Sequence, residues 1–364
     1  MGRVLGLLPL VLLIGCVSEA QQRERCRRAG LDLLLRIDAA FALESGLYSQ
    51  TLQASQPVGI APCWASAVQL SALAAAAQVD SFWRPRLEGF ILAMDEYFTA
   101  HHRVGGYAVQ PGAEKPDRYY DDNAWMALAL LEAHWLTRNP EHLRRAEEAI
   151  AFVLSGEAEP LGGGIWWHEQ TRRTRNACST APAIVACLRL HQTTGRADYL
   201  AAAERLDRWI NRNLRDRSGL YLDRIDSEGR VESARFAQNT ATMILANCEF
   251  FDITRDPRRL DQARALASAA VRQWIDPHTG AIREESPAAA LLAESLLQLY
   301  RRDGEPRWQQ IALSAIAFVR DRAVDRNGWY PSRWDSPARR PISQPRLVDQ
   351  ASAARAMLQA EIVR

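Results

Sequence analysis

Lysine is almost missing from this chain: Lys115 is the only one, and arginine supplies the rest of the 45 basic residues. The arginines are scattered and matched by 43 acids, for a net charge of +2, so no nucleic-acid or other polyanion partner is expected. Cysteine is sparse too. None of the six forms a CxxC pair, which argues against a zinc site, and no metal is expected. Cys178 and Cys187 lie nine residues apart on one predicted helix, hence on opposite faces, and cannot bond within it. Buried free thiols are the expectation for the five cysteines after Cys16. Gly162 to Gly164 lack a following Gly-Lys-Ser/Thr, so they do not form a phosphate loop. After the first residues, no run is long and apolar enough to span a bilayer.

The N-terminus is different in character. Arg3 precedes an apolar stretch from Val4 to Ile14, too short for a comfortable membrane span and suited to a secretory leader. Leu13-Ile14-Gly15-Cys16 resembles a bacterial lipobox, with Cys16 as the lipid-bearing first residue of the mature protein. Cleavage after Ser18-Glu19-Ala20 is the alternative. The expectation is a leader over residues 1–20 on an exported bacterial protein. A lipid anchor would be its only membrane contact, and secretion is the alternative. Residues 23–364 would form one catalytic domain, and a monomer suffices.

Within that domain a unit recurs. A glycine followed by an aromatic or branched residue occurs at Gly46, Gly106, Gly164, Gly219, Gly280 and Gly328, at intervals of 48 to 61 residues. Short turns alternate with these, at Thr137-Arg138-Asn139-Pro140, Thr194-Gly195-Arg196-Ala197, Thr254-Arg255-Asp256-Pro257 and Asp303-Gly304-Glu305-Pro306. A fixed long period signals repeat architecture. Helical periodicity between the marks predicts helices near 23–43, 64–78, 81–100, 119–138, 140–154, 177–193, 197–214, 237–253, 257–274, 286–302, 306–322 and 347–362. Twelve helices in six hairpins predict an all-α fold, a closed (α/α)6 toroid. An open solenoid is the alternative. The long connections would then share one rim and lead into the N-termini of six inner helices around one cleft.

At one such start stand Tyr119-Tyr120-Asp121-Asp122-Asn123-Ala124-Trp125. A helix N-terminus favours ionised carboxylates, while two side by side disfavour double ionisation. Unequal acids of this kind divide into nucleophile and acid/base. Consecutive helical positions can present carboxyls about 5 Å apart, the spacing of a retaining glycosidase. An Asp pair at a helix start otherwise serves as cap and first-turn charge. Its place on the long-loop rim, among aromatics, favours chemistry. Tyr107, Tyr120, Asn123, Trp125, Trp166, Trp167, Asn176, Tyr221, Gln238, Trp64 and Trp329 are the candidate substrate contacts, because aromatic faces beside polar edges suit sugar rings.

Tyr120-Asp121-Asp122-Asn123-Ala124-Trp125, followed by Ala127-Leu128-Ala129, resembles the catalytic motif of glycoside hydrolase family 76, the α-1,6-mannanases. Gly163-Gly164-Ile165-Trp166-Trp167 and then Arg175-Asn176-Ala177 resemble its next signature. The resemblance implies Asp121 as nucleophile, Asp122 as acid/base, α-1,6-mannan as substrate, retention of configuration and no cofactor. Some members transfer the sugar instead of hydrolysing. Two departures are visible: Met126 where a second aromatic is common, and Phe236-Ala237-Gln238-Asn239 where the family often shows Tyr-Asn-Gln-Gly. Competing readings are an epimerase or another glycosidase on the same toroid, or a non-catalytic glycan-binding lipoprotein. None of the seven histidines stands at an inner-helix start, which disfavours the epimerase.

Overall fold

A computed structural model of the protein describes residues 19–100 and 104–362. The expected leader and Cys16 lie outside them, apart from Glu19 and Ala20, which open the first helix. Twelve α-helices follow one another. They are α1 (Glu19–Phe41), α2 (Cys63–Val79), α3 (Arg84–Ala93), α4 (Tyr120–Thr137), α5 (Pro140–Ser155) and α6 (Ala177–Thr194), then α7 (Ala197–Asn213), α8 (Ala237–Thr254), α9 (Pro257–Trp274), α10 (Ser286–Asp303), α11 (Pro306–Phe318) and α12 (Leu347–Ile362).

The even-numbered helices form a closed ring, each packed on its two neighbours, with α12 returning to α2. Each of α3, α5, α7, α9 and α11 packs outside the inner helix that precedes it. The sixth pair is built from the two ends of the chain, α1 lying against α12. There Gly30 leaves no room for a Cβ beside Leu358, and Arg23 donates to the Ala360 carbonyl. The toroid expected from the repeat is therefore present, with ring closure made by the termini.

Local chemistry explains the short rim. Helices α4, α6, α8 and α10 each end in a left-handed residue, Arg138, Gly195, Arg255 or Gly304, whose N–H returns to a carbonyl four residues back. Asn139 and Asp256 then cap helices whose first residue is proline. Inner helices are buried nearly all round and rich in small residues, as in Ala72 to Ala77 of α2, so they approach closely.

Two predicted helices differ. The segment 81–100 is a single-turn 3-10 helix capped by Asp80, then α3, then a second such turn ending in β3 (Phe98–Thr99). Strand β3 pairs with β4 (Gly106–Tyr107), setting the Phe98 and Tyr107 rings 5.3 Å apart, a long-range pairing that local periodicity does not encode. The segment after α11 continues as one π-turn, Val319–Ala323.

The long-loop rim carries small sheets. Strands β1 (Ser49–Gln53) and β2 (Gln56–Ile60) pair antiparallel, and β5 (Thr174–Asn176), β6 (Leu222–Asp226) and β7 (Val231–Arg235) form a three-stranded antiparallel sheet. Four of the six recurring glycine turns share one device. The residue after the turn donates its backbone N–H to the fourth residue of the next inner helix: Tyr107 to Asn123 (2.7 Å), Ile165 to Thr180 (3.1 Å), Tyr221 to Thr240 (3.2 Å), Tyr330 to Gln350 (2.8 Å). The triple glycine belongs to this device. Gly164 has φ +83°, and a Cβ there would sit 2.5 Å from the Trp209 ring.

Candidate active site

The helical rotation of 100° per residue decides what each inner-helix start offers the cleft. First residues, such as Tyr120, Ala177 and Ala237, are buried in the core. Fourth residues face the glycine turns. Second residues face inward, and four of them, Trp64, Asp121, Cys178 and Gln238, line one cavity of about 540 Å³. Asp122 and Asn239, the third residues of α4 and α8, join them, as do Asn176 and the loop residues Tyr119 and Trp167. Buried amide atoms of Asn176 (Oδ1) and Asn239 (Nδ2) have no partner among the described residues and can serve sugar hydroxyls.

The two aspartates are held unequally. Oδ2 of Asp121 accepts from the Trp167 indole N–H at 3.1 Å and from the Cys178 thiol at 3.5 Å. Its Oδ1 is buried with no hydrogen-bond partner among the described residues. Burial lifts the Asp121 carboxyl to about 6 against the pull of those donors and of the backbone N–H groups of Asp121 and Asp122. Asp122 goes well above the usual carboxylate range through burial first, then the charges of Asp121 and Asp117. Directly behind, on α2, the buried Cys63 thiol is raised by burial and by the same two aspartates. Burial and mutual repulsion thus oppose double ionisation of the pair, and Asp121, which keeps the hydrogen-bond donors, is the more readily ionised. No group of three or more His, Cys, Asp or Glu arranged to hold a metal occurs among the described residues.

Of the expected contacts, Trp64, Trp167, Asn176 and Gln238 reach the cleft beside the aspartates. Trp125 lies one turn deeper and lines a narrow cavity of about 70 Å³ below it, with Trp64 and Gln238. The others sit elsewhere. Tyr120 is in the core, stacked on Phe152 at 4.8 Å. Asn123 is buried and spends its amide on Tyr107 and on the Tyr119 carbonyl. Tyr107 is buried, Trp166 lies under the Arg175 guanidinium at 4.5 Å, and Tyr221 donates to Asn211. Trp329 meets Phe41 edge-on at 5.7 Å. Tyr120 and Asn123 are turned away from the cleft as the first and fourth residues of α4, and the tethers hold the residues of the glycine turns in the wall between hairpins. Trp167, one residue beyond Trp166, faces the cleft.

Asp223, Arg224, Phe236 and Asp117 also line the cleft and escaped the sequence reading, as did the proximity of Cys178 to Asp121. Asp223 is on β6, whose place over the cleft depends on pairing with β5. Its carboxyl is raised by burial, opposed by Arg224. No short motif marks it. His168 pairs with Asp117 and packs on Tyr119 at the rim. All five described cysteines are free thiols.

The sequence matches the glycosyl hydrolase family 76 pattern over residues 93–289. A curated fission yeast relative, the "Meiotically up-regulated gene 191 protein" of Schizosaccharomyces pombe, is 29% identical over 205 residues, half of this chain. The alignment covers 45% of that protein, so the chain spans about half the length of the curated relative it matches. Among solved structures, a family 76 α-mannanase from Bacteroides thetaiotaomicron superposes with a TM-score of 0.88 at 27% identity, covering 94% of this chain and 98% of that one. An inactive variant of an α-1,6-mannanase from Salegentibacter sp. HEL1_6, with two consecutive aspartates replaced by asparagine, was solved with α-1,6-mannotriose. It superposes with a TM-score of 0.78 at 19% identity, covering 95% and 100%, a likeness of fold.

Proposed function

The chain belongs to glycosyl hydrolase family 76, and from that premise we propose that it cleaves α-1,6-mannosidic bonds inside mannan-type glycans with retention of configuration. The unequal surroundings of the Asp pair carry the reading: Asp121 accepts from the Trp167 indole and the Cys178 thiol, while burial and the charge of Asp121 oppose ionisation of Asp122. Ionised Asp121 attacks the anomeric carbon. Protonated Asp122 gives its proton to the departing glycosidic oxygen, and an ester to Asp121 forms. A water molecule then enters, loses a proton to Asp122, and releases the sugar while regenerating the Asp121 carboxylate. Trp64 and the half-exposed Trp167 offer apolar faces to sugar C–H groups, and Asn176, Gln238 and Asn239 offer amides to hydroxyls. The mannotriose held by the Salegentibacter relative supports the choice of glycan.

The purified protein is incubated with linear α-1,6-mannan, and with α-1,2- and α-1,3-linked mannosides as controls. Short α-1,6-oligomannosides from the wild type, and none from Asp122→Asn, support the reading. A natively folded wild type that releases nothing sinks the substrate. Products longer than the starting chains indicate transfer to another sugar. For location, the proposal is export and lipid attachment at Cys16. Cys16→Ala should then leave the membrane fraction, and an unchanged distribution would overturn it.

A further inference from the structure

We propose that Trp167 and Cys178 are positioning residues that grip Oδ2 of Asp121 and hold its carboxylate in one orientation for attack on the sugar. This rests on the reading of Asp121 as nucleophile.

The two donors come from different elements and converge on one atom. The Trp167 N–H arrives from the loop before β5, at 3.1 Å, and the Cys178 thiol from the second residue of α6, at 3.5 Å. Two anchors on one oxygen oppose rotation of the carboxylate about its Cβ–Cγ bond. The other oxygen, Oδ1, is buried with no hydrogen-bond partner among the described residues, so the two donors on Oδ2 set the orientation of the carboxylate.

The loop that carries the indole is itself pinned to the aspartate helix. The Trp167 N–H donates to the Thr174 carbonyl, and the Trp167 carbonyl accepts the N–H of Tyr120, both at 3.0 Å. The Tyr119 ring meets the indole edge-on at 4.8 Å. The side chain with the largest apolar face in the cleft is thus placed by its polar edge. Burial and the charges of Asp121 and Asp223 push the Cys178 thiol well up, so it stays a donor throughout the working pH range.

The consequence differs between the two chemical steps. In the first, a carboxylate oxygen of Asp121 bonds to the anomeric carbon, the glycosidic C–O bond breaks, and its electron pair takes the proton of Asp122. In the second, water bonds to that carbon and gives its proton to Asp122, the C–O bond to Asp121 breaks, and negative charge returns to the carboxylate. Donors on Oδ2 stabilise that returning charge, so their loss should slow breakdown of the ester more than its formation. The groups facing Asp121 are Asp122 and Tyr119 with Asp117 of the preceding loop, Cys63 on α2, Cys178 on α6 and Asp223 on β6. Arg224, which also lines the cleft from β6, pairs with Asp223 at 3.6 Å, so the two donors are the side chains hydrogen-bonded to Asp121 itself.

The test uses Trp167→Phe, which keeps an aromatic face and removes the N–H, with Cys178→Ala and Cys178→Ser. Trp167→Phe should lower kcat by about tenfold to a hundredfold, the scale of a hydrogen bond to a charged group. KM should stay the same or fall as the ester accumulates, and that ester becomes visible by mass spectrometry of the intact protein. The acid limb of the pH profile, set near 6 in the wild type, should move upward. Cys178→Ala should do the same more weakly, and Cys178→Ser should restore wild-type behaviour. A Trp167→Phe enzyme with unchanged kcat and acid limb but raised KM makes the indole a sugar platform only and overturns the proposal. The Asp121 carboxyl is also titrated by NMR without substrate. Its midpoint should rise in Trp167→Phe even if the wild type is inactive on mannan, in which case the substrate reading alone falls. A midpoint that does not move overturns the positioning role whatever the glycan.

Discussion

Arg355 stands at the middle of the ring, and its removal is the sharpest test of how the toroid is held. Its five N–H groups are all engaged. Two go to Glu294, two to Glu132 and one to the Ser71 carbonyl, each bond 2.8 Å long. Arg189 extends the cluster to Glu132 at 3.3 Å and to Glu249 at 3.1 Å. Each inner helix thus contributes one member: Ser71, Glu132, Arg189, Glu249, Glu294 and Arg355. Arg355→Met fills most of the same space but strips Glu294 and Glu132 of a shared cation in a buried setting. Breaking a buried pair from one side costs about 3–5 kcal/mol. For a protein of this size that is a fall in Tm of about 4–7 °C. Burial raises Glu132, but Arg355 and Arg189 more than offset this and hold its carboxyl below the ordinary range. In the wild type that contribution is complete above the unfolded pKa and is lost as pH falls through the lower folded value. In Arg355→Met the sign reverses, because protonation now relieves a bare charge, so the gap should narrow below about pH 5. Urea denaturation at pH 7.5 and pH 4.5 measures both, with Glu132→Gln/Glu294→Gln/Arg355→Met expected to recover most of the loss. A cost under about 1 kcal/mol, or a gap that widens in acid, refutes the reasoning.

Asp121 should be a stability liability. Its folded value of about 6 lies above the ordinary 3.8, so the stability of the neutral form is full below 3.8 and disappears as pH rises through 6. Asp121→Asn should therefore be more stable than wild type by about 3 kcal/mol at pH 8 and equal near pH 4, as read from urea midpoints. Gly164→Ala combines a left-handed backbone with a clash against Trp209 and should cost about 3 kcal/mol. Gly195→Ala, at φ +72° with open space around it, should cost about 1, so thermal melts of the two separate strain from packing. Asn123→Ala removes the acceptor of the buried Tyr107 N–H and the side-chain donor to the Tyr107 and Tyr119 carbonyls, and should lose about 2–4 kcal/mol. KM for mannan should hold near wild type, since that amide faces the loop and not the cleft.

The Asp pair was legible because a helix N-terminus is a local feature, readable from the motif around Asp121 and the apolar period after it. The hairpin period was legible because glycines at positive φ, such as Gly219 and Gly328, recur wherever the chain must reverse. The roles of the aromatics were not. Trp166 and Trp167 are chemically alike and adjacent, yet one is buried under Arg175 and the other contacts Asp121. Only the tether from Ile165 to Thr180 sets which is which.

The sequence alone therefore determined twelve helices, their alternating long and short connections, and a carboxylate pair opening one of them. These follow from periodicity and capping, which act over a few residues. Tertiary structure decided the rest. It brought α12 onto α2 to close the inner ring and α1 onto α12 to complete the sixth pair, carried Asp223 over the cleft on a strand paired with β5, and set Trp167 and Cys178 on one oxygen of Asp121. Those placements depend on the angle between neighbouring hairpins summed around a closed circle, a quantity to which every unit contributes and which no short stretch of chain contains.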